Sequence, residues 1–130
     1  MRAVKVFLAG RESYLAFTGE AMFRINDEFG GSAELLDRMQ EGTRDGLAVI
    51  TRTAVILAES GELARRHMGY DPAPMPDGDA IAATITPEEI VRLKHAVTAA
   101  IALGYGREVK DEDEVVDLGL LELEAQKKTN

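Results

Sequence analysis

Histidine is the residue type here whose chemistry would matter most for catalysis or metal binding, and the chain has only two, His67 and His95. Neither has a second histidine four residues away, the spacing that places two imidazoles on one helix face for zinc. The absence of cysteine excludes thiolate metal sites, disulfides and cysteine nucleophiles. The sequence also lacks a serine nucleophile elbow and a glycine-rich phosphate loop. We therefore predict a protein that is not an enzyme and has no catalytic, cofactor or metal site.

Two acidic stretches could in principle bind a hard cation. Asp77–Asp79 resembles the centre of an EF-hand loop, but that alignment puts Ala80 at the glycine position and Thr86 at the position of the bidentate glutamate. The second stretch, 111–114, is more typical of a solvated charge run than of a metal site. Neither stretch changes the expectation that the protein binds no metal.

The net charge of the chain limits the classes of partner that it can bind. The formal net charge is -8, from 23 acidic and 15 basic residues, and it opposes binding to nucleic acid and to anionic membranes. No apolar stretch approaches the roughly 20 residues that cross a bilayer. We therefore expect a soluble protein with no nucleic-acid or membrane partner, which acts on other proteins.

The N-terminal residues predict a β-hairpin. Apolar residues alternate through Val4–Leu8, a turn follows at Gly10–Glu12, and Ser13–Phe17 is again extended. The segment Ala80–Ile85 has two interpretations. As a third strand it would give a small three-stranded sheet, and the alternative is an irregular approach to the next helix.

About four helices are predicted to pack on the hairpin, which makes the fold class α+β. The helix from Arg44 to Glu59 has the broadest apolar surface, so we expect it to be buried on most sides. Gly61 is a candidate break or kink, and Glu62–Met68 can add about two more helical turns before Gly69. A proline-rich loop is predicted at 71–79, and Thr86–Glu89 has the order of a capping box that starts the last helix. The expected core residues of the broad helix are Ile50, Ala54 and Leu57.

The chain divides into a compact α+β domain at 1–106 and an acidic segment at 107–130 that carries an apolar patch. Four consecutive acidic residues precede this patch, and their repulsion from a negative body opposes docking. We therefore predict that the patch binds a partner, with docking on the body as the alternative. The predicted partner-binding residues are Val116, Leu118, Leu120, Leu121 and Leu123.

A family resemblance rests on several short patterns. These are the hairpin Val4–Arg11 and Tyr14–Phe17, then Ala21, Ile25 and Asp27–Gly30, then a short helix, a long apolar helix, and the acidic leucine-bearing end Val116–Leu123. In these patterns the chain resembles the tail assembly chaperones of long-tailed phages and prophages.

The resemblance implies a non-enzymatic factor of the host cytoplasm that binds the tape measure protein and helps tail-tube subunits assemble around it. Such chaperones are absent from the mature virion and occur in a short and a frameshifted longer form, of which this chain would be the short one. Self-association into a homo-oligomer is left open. The alternatives are a structural virion component, such as a head-tail connector or minor tail protein, and a bacterial protein-binding adaptor unrelated to phage.

Overall fold

The fold combines a small sheet with a set of helices. The computed structural model describes residues 1–109 and 114–119, and within them it contains three strands and five helices. The strands are β1 (Arg2–Leu8), β2 (Arg11–Leu15) and β3 (Val115–Asp117). The helices are α1 (Gly19–Phe29), α2 (Ser32–Met39), α3 (Arg44–His67), α4 (Gly78–Thr84) and α5 (Pro87–Gly104). The predicted α+β class is confirmed.

The sheet is antiparallel, with the order β2-β1-β3. The predicted hairpin is confirmed, and its two-residue turn has positive φ at both Ala9 (51°) and Gly10 (77°), which matches the right-handed twist of the strands. The third strand comes from the end of the described chain, where Val116 pairs with Ala3. The interpretation of Ala80–Ile85 as that strand is wrong, because most of this segment lies in α4.

Helix α3 is the centre of the fold. Thirteen of its 24 residues are buried, because it packs against the hairpin and against α1, α2, α4 and α5. The predicted burial of Ile50, Ala54 and Leu57 is confirmed, with exposed fractions of 2% or less. The apolar breadth of this helix is therefore explained by neighbours on several sides.

Gly61 does not break α3, and the further helical turns predicted after Glu62 are confirmed. The helix continues through this position to His67, and Gly61 lies directly against the backbone carbonyl of Tyr14 in β2. A Cβ atom at Gly61 would overlap that carbonyl. One turn earlier, the Leu57 carbonyl accepts a hydrogen bond of 3.1 Å from the Ala16 amide, so the helix covers part of the outer edge of the hairpin. The glycine permits this close approach.

The predicted N-cap at Thr86 is confirmed, but the Glu89 carboxylate accepts a 2.9 Å hydrogen bond from the Thr86 hydroxyl and not from the Thr86 amide, as a full capping box requires. Thr86 Oγ1 accepts a hydrogen bond of 3.2 Å from the Glu89 amide, and Pro87 occupies the first turn of α5. A shorter helix, α4, precedes it and begins at Gly78, after the N-cap Asp77, whose side chain accepts hydrogen bonds from the amides of Asp79 and Ala80. The last two residues of the predicted 71–79 loop therefore belong to a helix.

The described end of the chain returns to the body. Besides the β3 pairing, the Leu118 amide donates a 2.9 Å hydrogen bond to the Met1 carbonyl, and the Tyr70 hydroxyl donates to the Leu118 carbonyl. The boundary predicted at residue 106 therefore does not separate residues 114–119 from the domain. Within this stretch, Val115–Asp117 form a strand of the same sheet as the hairpin.

Candidate functional site

The predicted partner-binding patch is only partly described by the structure. Leu118 has an exposed fraction of 0% and packs with Ala3 and Ala16, while Val116 is half-buried in β3. Because the side chain of Leu118 is already enclosed, the structure favours the alternative of docking on the body, and the partner-binding role of this residue stays a prediction. Leu120, Leu121 and Leu123 lie outside the described residues.

Charge repulsion does not keep residues 114–119 away from the rest of the domain, because positively charged groups of the domain pair with the acidic residues of this segment. Lys5 Nζ lies 3.6 Å from a Glu114 carboxylate oxygen, and the N-terminal ammonium lies 3.4 Å from Asp117 Oδ1. Opposite charges at these distances offset the repulsion on which the prediction depended. Net charge alone did not reveal these local pairs.

A buried carboxylate holds the proline-rich loop on α3. Glu62 is 6% exposed and accepts hydrogen bonds from Arg65, from Arg66 Nε at 2.8 Å and from the Ala73 amide at 2.9 Å. The Arg65 guanidinium also lies over the Tyr70 ring, 5.1 Å from its centroid. Both carboxylate oxygens accept hydrogen bonds, so Glu62 has the partners of a structural anchor rather than of a catalytic base.

The surroundings of this anchor shift two pKa values. Burial alone would raise the pKa of Glu62, but the hydrogen bonds from Ala73, Arg66 and Arg65 outweigh it and hold the pKa below its ordinary value. Burial, together with a hydrogen bond to Glu12, raises the pKa of the neighbouring Tyr14 to about 12. Tyr14 is therefore neutral and Glu62 ionised at neutral pH.

Replacing Glu62 with glutamine should destabilise the protein by about 1–3 kcal/mol at neutral pH, since buried partners lose an ionised acceptor. A lowered folded-state pKa stabilises the fold above the unfolded-state pKa of about 4.3, and this contribution is lost as the pH falls through the folded value. The difference in unfolding free energy between wild type and Glu62→Gln should therefore shrink in urea titrations taken down to about pH 3.

The control is Glu88→Gln, which removes the ion pair between Glu88 and Arg92. Both of these side chains are 74% exposed, so the change should have little effect at any pH. A Glu62→Gln difference that stays constant with pH would contradict the role of its charge.

An open groove of about 740 Å³ lies between α3 and α4. Its floor is one face of α3. Leu47 is half-buried there and Ala48 is exposed, so this part of the apolar helix has no covering element among the described residues. The floor residues, at helical spacing, are Leu47, Ala48, Thr51 and Val55.

Charged residues border the groove on both sides. Toward α1, Arg52 pairs with Glu28 at 3.0 Å and Glu59 pairs with Arg24 at 3.0 Å. The other side is formed by the loop and α4, from Pro76 to Ala82. An apolar floor between polar rims is typical of surfaces that bind the apolar stripe of a helix.

The groove also contains a polar group without a partner. Thr51 is 7% exposed, and its hydroxyl forms no hydrogen bond with any residue that the structure describes. Threonine in a helix usually donates to the carbonyl four residues earlier, as Thr53 does here to Val49 at 2.7 Å. The hydroxyl of Thr51 in the groove floor therefore lacks the hydrogen bond that the neighbouring core residue Thr53 forms.

No described group of three or more histidine, aspartate or glutamate side chains is placed to hold a metal ion. His67 and His95 are both exposed, and they lie on different helices, α3 and α5. Over the same residues, none of the helices combines the length and apolar character needed to cross a membrane. The groove and the anchor of the loop are the features that remain for function.

Comparison with known proteins found no matching family model, no similar curated protein and no similar solved structure. The geometry of this chain is therefore the basis for a functional proposal, together with the resemblance described above.

Sequence reasoning missed the groove. The sequence predicted that the helix is buried on most sides, and the periodicity of a helix identifies an apolar face without showing which part of that face is covered. The available signal was the breadth of the stripe, which exceeds what one neighbouring element can bury.

Proposed function

We propose that this protein is a non-enzymatic tail assembly chaperone, which binds the tape measure protein during phage or prophage tail assembly in the host cytoplasm. The observation that carries the proposal is the groove on α3, whose floor includes the exposed Ala48 and the half-buried Leu47. A long helical client exposes apolar stripes before assembly, and such a groove can mask one of them. The resemblance of the N-terminal half supplies the identity of the client.

The charge of the protein supports the same role. A net charge of -8 keeps a complex with an apolar client soluble, because like-charged complexes repel each other. Covering apolar surface on the client lowers its tendency to aggregate. Neither effect requires a catalytic group.

The proposal predicts that coexpression keeps a tape measure protein from the same gene cluster in the soluble fraction, whereas the tape measure protein alone is mainly insoluble. We would coexpress overlapping tape measure fragments with the tagged full chain and measure solubility and co-purification. The control is an unrelated protein of similar size and charge. Failure of every fragment to co-purify, or a gene cluster without tail genes, would contradict the proposal.

Mass spectrometry of purified particles tests the main alternative. A chaperone is released before the virion is complete, so its peptides should be absent from the particles. Recovery in amounts comparable with a minor tail protein would instead identify a structural virion component.

A further inference from the structure

The groove has opposite charge at its two ends. Arg44 lies at the start of α3, is exposed, and forms no ion pair among the described residues. Glu59 lines the groove fifteen residues later, which corresponds to roughly 22 Å along the helix axis. A helix of about four turns would span this length.

The acidic end is reinforced by the residues that precede and begin α4. Pro76 contacts both this groove and the small cavity beside Glu62, so the loop enters from the C-terminal half of α3. A Cβ atom at Gly78 would lie 3.4 Å from Val55 Cγ2, which places Asp77 and Asp79 near the middle of α3, closer along the helix to Glu59 than to Arg44. Asp79 is exposed and forms no ion pair with a described residue. One unpaired cation and one unpaired anion are therefore left at opposite ends.

We propose that the groove binds one amphipathic helix of a partner protein, antiparallel to α3, with its apolar stripe on Leu47 and Ala48. A helix carries partial positive charge at its N-terminus and partial negative charge at its C-terminus. The antiparallel orientation places the N-terminus of the partner beside Asp77 and Asp79 and its C-terminus beside Arg44. Basic residues in its first turn and acidic residues in its last turn complete the match. This inference rests on the proposed function, because it specifies how such a client is bound.

Two synthetic helical peptides of about 18 residues test the orientation. Both carry the same leucine and alanine stripe and a staple on the opposite face, which equalises their helix content. One has lysines in its first turn and glutamates in its last turn, and its twin has these ends exchanged. We expect the full chain to bind the first peptide about tenfold more tightly by fluorescence anisotropy. Equal affinity, or preference for the twin, would overturn the inference.

Reversing the charges of the protein should reverse the preference. In the double variant Arg44→Glu with Asp79→Lys, the twin should become the tighter ligand. The matched control is Arg11→Glu with Asp27→Lys, which makes the same two changes at exposed positions outside the groove and should keep the original preference. An unchanged preference in the Arg44 and Asp79 variant would show that binding occurs elsewhere.

A substitution on the floor tests the location. Ala48→Glu should weaken binding of the first peptide more than about tenfold, because it places a charge under the apolar stripe. Ala83→Glu changes an exposed alanine of α4 that does not line the groove and should bind as the wild type does. Circular dichroism and thermal melting of both variants check that they fold. Wild-type affinity in Ala48→Glu would contradict the inference.

The same variants distinguish this inference from the proposed function. If tape measure fragments co-purify equally with wild type and Ala48→Glu, the function stands and the groove is not the site. If no fragment co-purifies but the peptide preference reverses in the Arg44 and Asp79 variant, the groove binds helices and the tape measure protein is not the client. A dimer in solution that Ala48→Glu dissociates would overturn the inference, because the groove would then join two copies of this chain.

Discussion

Replacing Gly61 with alanine is expected to destabilise the protein by about 3 kcal/mol, one of the largest effects of any single methyl group in this fold. The new Cβ atom would overlap the carbonyl of Tyr14, and neither atom belongs to a flexible side chain that could move away. Helix and strand must therefore separate, which also disturbs the hydrogen bond from the Ala16 amide to the Leu57 carbonyl. Urea denaturation followed by circular dichroism would measure the loss.

The same chemical change at Gly19 provides the control. Gly19 is the first residue of α1, and a Cβ atom there meets nothing within 4 Å. Gly19→Ala should be neutral or stabilising, because alanine loses less backbone entropy than glycine when a helix forms. If Gly61→Ala were equally neutral, the close contact between α3 and β2 would not be required by the fold.

Truncating Leu118 to alanine should cost about 2–5 kcal/mol, the range for large-to-small changes at buried sites that cannot collapse. Its side chain is fully enclosed, with Ala3, Ala16 and Met68 in the same cluster. Alanines in the wall cannot extend to fill the space that the leucine leaves. A lower melting temperature would place this residue in the body rather than in a partner-binding patch.

Leu63 is the matched control, since the same truncation there removes a leucine side chain from a residue that is 52% exposed on α3. We expect Leu63→Ala to change stability by less than about 0.5 kcal/mol. Unchanged melting of Leu118→Ala, together with loss of client binding, would instead restore the original hypothesis that this leucine serves a partner.

The elements predicted correctly are those whose signals are local. The hairpin follows from alternation and a tight turn, and the start of α5 follows from Thr86, Pro87 and Glu89, all within four residues. Their hydrogen bonds join neighbours in the chain, so sequence windows contain both partners. The burial of Leu57 could be predicted because the apolar breadth of its helix is a local property as well.

The features that the sequence did not reveal depend on contacts between distant segments. The sequence around Gly61 is typical of a helix break, and only the tertiary structure shows that Tyr14 lies against this glycine. Leu118 follows an acidic run near the end of the described chain, and only the tertiary structure shows that it packs on Ala3. The Glu62 anchor has the spacing of local ion pairs with Arg65 and Arg66, but its third partner is the amide of Ala73 in the loop. Helical periodicity carries no information on such pairings.

The candidate site could be predicted only in part for the same reason. The apolar stripe of α3 is evident from the sequence, whereas the exposure of Leu47 and Ala48 depends on where the neighbouring elements pack on that helix. Asp79 and Arg44 are ordinary exposed charges until the fold places them at opposite ends of one groove. Their significance is a property of the tertiary structure.

The strand order determines when each edge of the central strand is covered during synthesis. The central strand β1 is made first, and β3, which covers one of its edges, is made last among the described elements. The ion pair between the first residue and Asp117 joins positions 116 residues apart, and contacts of such long sequence separation form slowly. One edge of β1 therefore stays without its partner while the ribosome makes the helices. An unpaired edge can pair with other chains, so a nascent chain stalled before β3 should aggregate more readily than the completed protein.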